Sequence, residues 1–203
     1  MTAEERRGKA VADIAKEAGT GHLVYGSISG ADLHTGIAHV ESKGRIEEHI
    51  EALGLPATIL RPVSFMENFA SYNRPVMAGG ELVVSLALCP ETPLQLIATR
   101  DIGILAAIAI DQPGRFLGQH IEIAADKLTG PAIADTFGRA CNVPARFQQV
   151  PIDQLRGFDA EVAKMFAWLK ERAIDGPDIA TLRALHPGLM TLQTWVRQAG
   201  WKP

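Results

Sequence analysis

The sequence predicts an α/β fold built on part of a parallel sheet, and three observations carry that prediction. Residues 23–28 (LVYGSI) form a short apolar run rich in β-formers, as suits a strand covered on both faces. From Glu41 to Leu53, Ile46, Ile50 and Leu53 recur at i, i+4 and i+7, which marks a helix with one core-facing stripe. Gly54 and Pro56 stop that helix, and residues 57–63 (ATILRPV) make a second apolar strand that Pro62 brings to an end. A strand–helix–strand run of this length makes a parallel, right-handed crossover.

The other elements follow in order. Residues 5–18 read as an amphipathic helix with Val11, Ile14, Ala15 and Ala18 on its buried face and Gly19 closing it. Residues 71–81 (SYNRPVMAGGE) read as a loop and 82–88 as a strand. A short strand in TPLQLI precedes a helix over 100–110, with Thr99 as its N-cap. Residues 120–125 (HIEIAA) rejoin the parallel sheet, and Thr129 caps a helix burying Ile133, Phe137 and Cys141. Residues 145–151 give a late strand, and helices cover 158–173, 178–185 and 191–199, packed by Trp168, Trp195 and Trp201.

Composition bounds the function. The chain has 203 residues, 47% hydrophobic and 21% charged, the profile of a soluble globular protein. A net charge of −3 with no basic run argues against direct nucleic-acid binding, which needs clustered Lys and Arg. Cys89 and Cys141 show no CxxC or Cys/His spacing, so two reduced thiols, no metal site and a cytoplasmic protein are expected. The first residues lack a secretory apolar segment, and the apolar run at 102–110 is too short to span a membrane.

Ligands of open parallel sheets sit beyond the carboxyl ends of the strands. Those ends are 26–30 and 61–68 here. His39 and Lys43, four residues apart, share a helix face, so a hydroxyl from Ser27 or Ser29, an imidazole and an ammonium are aimed at one crevice. The bland alternatives are a surface pair between Lys43 and Glu47 and a His39 that only bonds backbone. Ser64 and Glu67 have the spacing of a capping box.

Several stretches together carry a family resemblance. They are YGSISGADLHTGIAHVESKGRIEEHI followed by GLPATILRPVSFMENF, then TPLQLIATRDIGILAA, GQHIEIAADKLTGPAIADTF and LHPGLMTLQTWV. The chain resembles the NmrA-like proteins, a branch of the atypical short-chain dehydrogenase/reductase superfamily. The resemblance implies a partial Rossmann-like, doubly wound parallel sheet lacking its first strands, over 1–73 and 98–125. A smaller, mostly helical substrate-side lobe is implied for 74–97 and 126–203. It implies an NADP or NAD cofactor, with a cofactor-binding wall of Gly26, Ser27, Lys43, Pro62, Val63 and Phe65. Met66 and Asn68 face the substrate, and Lys43, His39 and Ser27 are the catalytic candidates.

This sequence departs from the family pattern at three places. HVESK puts His39 where the superfamily has its tyrosine, Gly26 replaces a serine common in the branch, and either Ser27 or Ile28 aligns with the catalytic serine. No strand–GxxGxxG–helix turn occurs, since GTGH at 19–22 follows a helix. About 70–90 residues of the family pattern are absent. A start placed too late in the reading frame would account for that. Weak or absent dinucleotide binding is therefore expected, with an unpaired edge on strand 23–28 open to homodimer formation. Two functions follow from the resemblance: an NAD(P)H-dependent oxidoreductase of quinone or carbonyl small molecules, or a non-catalytic redox sensor acting through a protein partner. His186-Pro187-Gly188 matches a family turn, and Asp101 sits at a helix N-terminus.

Overall fold

A computed structural model describes residues 1–171 and 176–203. Its elements run α1 (Ala3–Glu17), β1 (Leu23–Gly26), α2 (Ala38–Ala52), β2 (Ala57–Pro62), β3 (Ser64–Phe65), a 3-10 turn (Met66–Ala70), β4 (Val76–Ala78), β5 (Glu81–Leu86) and β6 (Pro93–Ile97). They continue with α3 (Thr99–Asp111), α4 (Pro113–Phe116), β7 (His120–Ile123), β8 (Asp126–Thr129), α5 (Gly130–Cys141) and β9 (Ala145–Gln149). The chain finishes with α6 (Ile152–Arg156), α7 (Ala160–Glu171), α8 (Ile179–Leu185) and α9 (Leu192–Gln198). The last two residues of the helix expected over 158–173 lie outside the described residues.

The chain divides into two compact units, one of Met1–Val63 with Ile102–Ile123 and one of Ser64–Asp101 with Ala124–Pro203. In the first, β1 pairs with β2 and β2 with β7, all parallel, in the order β1-β2-β7. The strand–helix–strand crossover forms as expected, and β1 is an edge of its sheet. Helix α2 lays Ile46 and Ile50 on Leu55, Ala57 and Ile59, with Ala12 of α1 in the same cluster.

Helix α1 forms, but with a different buried face. Val11 and Ile14 are 60% and 64% exposed, while Glu5 and Ala12 are buried. Small residues set this contact: a Cβ on Gly8 would meet the Ile46 side chain of α2, which would have to shift to make room. Thr2 caps α1 by accepting the Glu5 N–H at 3.1 Å.

The second unit holds two small sheets. In one, β6 pairs parallel with β3 and antiparallel with β8; in the other, β5 pairs antiparallel with β4 and parallel with β9. The segment read as a loop thus contains β4, turned back onto β5 at Gly79-Gly80, both with positive φ. Phe137 of α5 meets Phe69 and Trp201 edge-on at 5.3 and 4.8 Å between centroids, and the Trp201 Nε1–H donates to the Phe69 carbonyl at 2.8 Å.

Gly44, in the middle of α2, lies under the Ala31 carbonyl, which a Cβ would strike. An exposed helical Gly→Ala change gains about 1 kcal/mol. Here Gly44→Ala is expected to destabilise the chain, and a lowered midpoint in urea unfolding checks it.

Candidate functional site

The N-terminus of α2 is built by the turn before it. Ile37 offers no side-chain cap, so Glu41 reaches back to accept the Gly36 N–H at 3.0 Å and the Thr35 hydroxyl at 3.3 Å. His39, half-buried in the first turn, has a carbonyl that accepts the Ser42 hydroxyl at 3.0 Å. One turn on, the Lys43 ammonium sits 2.8 Å from Glu4 of α1, and the Ser42 hydroxyl lies 2.9 Å from the second Glu4 oxygen. Lys43 therefore pairs with Glu4 and not with Glu47, because Glu47 already has a stronger partner.

That partner is Arg61 of β2, whose side chain is 9% exposed. Its Nη2 lies 2.6 Å from Glu47 Oε2 and its Nε 3.2 Å from both Glu47 oxygens; Nη1 lies 2.7 Å from Asp32. A guanidinium only donates. His120 stands in the same group, its Nδ1 3.1 Å from Nη2 and its Nε2 3.0 Å from Glu51. Burial disfavours the Arg61 charge, but the hydrogen bond and field of Glu47, aided by Asp32, outweigh it and raise its pKa. The Ser27 hydroxyl, buried just past the end of β1, donates to Glu47 as well.

Glu4 and Glu5 close the other side of α2. The Lys43 hydrogen bond holds the Glu4 carboxyl below its usual range. Glu5 lies 2.9 Å from both Lys9 and Arg45, and these two bring its pKa down to about 2, Lys9 contributing most. Tyr25 of β1 has its phenol pushed upward by burial first and then by Glu4 and Glu47. The Lys43 ammonium stands 6.0 Å from the Tyr25 ring centroid, within cation–π range.

Of the residues expected at a site, Gly26, Ser27, His39, Lys43, Pro62 and Val63 fall in the first unit and Phe65, Met66 and Asn68 in the second. Gly26 is exposed and Pro62 buried; the Ser27 hydroxyl is committed to Glu47. Phe65 is 38% exposed, whereas Met66 is wholly enclosed and packs as core. Asn68 Nδ2 donates to the Ser64 hydroxyl at 3.3 Å. The Ser64/Glu67 capping box does not form. Both Glu67 oxygens accept the Thr99 N–H at 3.1 Å, so Glu67 caps α3, and Thr99 is its first residue and not its cap. Glu67 also accepts from Trp195 Nε1 at 3.1 Å. Asp101, 1% exposed, accepts the Met190 N–H at 2.8 Å and faces His186 at 3.2 Å, which fixes the His-Pro-Gly turn. An open depression of about 540 Å³ beside Arg139, Asn142 and Pro144 touches none of the expected residues. Among the described residues no group of three or more His, Cys, Asp and Glu is placed to hold a metal, and no helix is long and apolar enough to cross a membrane.

Sequence reasoning missed Arg61, Glu47, Asp32 and Glu4. One signal was present: an arginine amid the apolar run ATILRPV must bring a carboxylate with it.

At the end of β1 the first unit leaves two features open to a ligand. Lys43 is a reachable donor at 24% side-chain exposure, and Gly26 opens on space that no neighbour occupies within 4 Å of a Cβ position. The diphosphate end of a dinucleotide does not fit the turn from β1 to α2. Its Gly30 N–H is 3.4 Å from Glu122 and its Gly36 N–H 3.0 Å from Glu41, so two backbone donors of the turn already face carboxylates.

The family model for the NmrA-like family matches residues 1–195. The nitrogen metabolite repression protein nmrA of Emericella nidulans is 30% identical over 155 residues, covering 71% of this chain and 44% of that protein. An NAD(P)H azoreductase of Xenophilus azovorans is 24% identical over 147 residues, covering 72% of this chain and 50% of that one. The chain thus spans about half the length of these curated relatives or less. The crystal structure of NmrA, a negative transcriptional regulator, in complex with NADP superposes with a TM-score of 0.80 at 22% identity, over 96% of this chain and 69% of that chain. At that identity the likeness speaks for a shared fold.

Arg61→Ala leaves two carboxylates facing each other without their cation. A loss of about 3–5 kcal/mol in unfolding free energy is expected, and Arg61→Met with Glu47→Leu loses less because no buried charge is stranded. The Glu5 carboxyl, depressed when folded, contributes stability that is whole above its unfolded pKa near 4.5 and fades as pH falls toward about 2. Urea midpoints should fall over that window, and Glu5→Gln should flatten the fall.

Proposed function

The chain belongs to the NmrA-like family, and we propose that it serves there as a dinucleotide-responsive regulator acting through a protein partner, without hydride transfer. One observation carries this reading. The hydroxyl expected to take part in proton transfer, that of Ser27, is buried and bound to Glu47, and position 39 holds histidine in place of tyrosine. What remains beside the end of β1 is a binding surface: the Lys43 ammonium for ribose hydroxyls and Gly26 for close approach. A bound NAD(P)H supplies a hydride; the residues of this chain supply the grip on its ribose end. To give that grip, Lys43 exchanges Glu4 for the ligand. With Glu41 of α2 and Glu122 of β7 occupying backbone N–H groups of the turn, these 203 residues hold the diphosphate weakly.

A second reading, a reductase of quinone or carbonyl small molecules, draws support from His39 and Lys43 lying one turn apart on α2. Its relatives include the azoreductase named above.

The two readings separate in a cuvette and a calorimeter. We expect titration of NADH and NADPH into the purified chain to give no micromolar dissociation constant, and no NAD(P)H oxidation with a quinone and carbonyl panel. Dinucleotide-dependent capture of a protein partner without turnover supports the regulator. Turnover that disappears in Lys43→Ala replaces it with the reductase, and micromolar binding overturns the weak grip.

A further inference from the structure

The second unit gathers positive charge on its surface without negative charge to match it. Arg74, Arg100, Arg197 and Lys202 are exposed, and none of them forms an ion pair among the described residues. All four converge on residues 197–202. Arg74 Nη2 donates to the Lys202 carbonyl at 2.6 Å, its guanidinium lies 5.0 Å from the Trp201 ring centroid, and Arg100 Nη1 donates to Gln198 Oε1 at 3.4 Å. No aspartate or glutamate occurs between Glu67 and Glu81 or after Asp178. The carboxylates that reach α3 and α9, those of Glu67, Asp101 and Asp126, are each committed to backbone N–H groups. A terminal carboxylate on Pro203 offsets one of the four cations.

The stretch that carries Arg74 runs straight into an open strand edge. Strand β4 is outermost in the order β4-β5-β9 and pairs with β5 alone. Its turn is the two residues Gly79-Gly80, both at positive φ, so Ala78 and Glu81 bond each other across it and the next pair, Met77 and Leu82, does not. Met77 therefore turns its N–H and C=O away from β5, to the free side. Tyr72, Val76 and Met77 keep 68%, 55% and 44% of their surface in water. Sheet edges are commonly blunted by a charge or a proline within the strand, and Val76–Ala78 has neither.

These features select one kind of occupant. Free backbone groups along a strand select an extended backbone, exposed Val76 and Met77 select apolar side chains, and the cations just before β4 select carboxylates. We infer that the β4 edge and the adjoining cations form the docking surface for an extended, acidic segment of a partner protein. Its carboxylates lie beside Arg74, Arg100, Arg197 and Lys202, and its apolar residues lie along Val76 and Met77. A nucleic acid would use the cations and leave the strand edge bare. The surface gives the regulator reading the kind of partner it requires, and it rests on that reading for its role.

Fluorescence anisotropy tests the proposal with labelled synthetic peptides, one half Asp and Glu and the other half alternating Val and Thr, made in both orders of the halves. The 203-residue chain is expected to bind at least one of them saturably in the micromolar range, more weakly as salt is raised. Arg100→Glu combined with Lys202→Glu weakens binding about tenfold. Met77→Pro removes an outward N–H and no bond to β5, and it also weakens binding about tenfold while the far-ultraviolet circular dichroism stays unchanged. Should Met77→Pro disturb the fold, Val76→Lys takes its place with the same expected loss. Absence of binding in both orders overturns the proposal. So does equal binding of peptides with Asn and Gln for Asp and Glu, insensitivity to either kind of variant, or a DNA oligonucleotide that binds more tightly than the peptides. The titration contains no dinucleotide, so its failure leaves the capture experiment to judge the regulator reading separately.

Discussion

A guanidinium cannot shed its charge, and Arg61 carries one into the middle of a sheet. Everything around it answers that demand. Glu47 comes from α2, Asp32 from the turn before α2, and His120 from the neighbouring strand β7. One cation therefore ties the helix, its entry turn and two strands of the sheet to a single point. Ion pairs of this kind add little net stability over a well-packed apolar group, since both charges lose their water. What they do is fix register: an α2 shifted by one turn would bury two carboxylates and one guanidinium apart from each other.

That register decides the chemistry. Lys43 lies one turn before Glu47, so the pin at Arg61 also sets where the ammonium stands. The same pin draws the Ser27 hydroxyl inward, which removes it from the open end of β1. The second unit uses carboxylates in a related way. Glu67, Asp101 and Asp126 each accept a backbone N–H, from Thr99, Met190 and Leu192, and two of those three donors belong to the C-terminal segment. Acidic side chains in both units are spent on holding elements in place.

Strands β1, β2 and β7 and helices α2 and α5 were legible because each is an unbroken periodic run with a glycine, proline or capping threonine at its border. The faces and partners were less so. On α1 the larger apolar residues look like the buried stripe, yet close helix packing selects the smallest ones, Gly8 and Ala12, and strands Val11 and Ile14 outside. Strands β3, β4 and β8 have two to four residues, too few for alternation to register, though Gly79-Gly80 marks a reversal. Lys43 and Glu4 are far apart in sequence, and no local pattern predicts which of two glutamates a lysine will choose. Glu67 shows the same failure: a local capping motif lost to a helix that begins 32 residues later.

The Glu4–Lys43 contact makes the lysine a contested resource. Any molecule that recruits this ammonium must evict a carboxylate from the first turn of α1, and that turn loses a tether when it does. By thermodynamic reciprocity the coupling runs both ways: whatever braces the start of α1 makes the lysine harder to win, and whatever frays it makes the lysine easier to take. Occupancy beside the sheet and order at the start of the chain are thus written into the same pair of atoms.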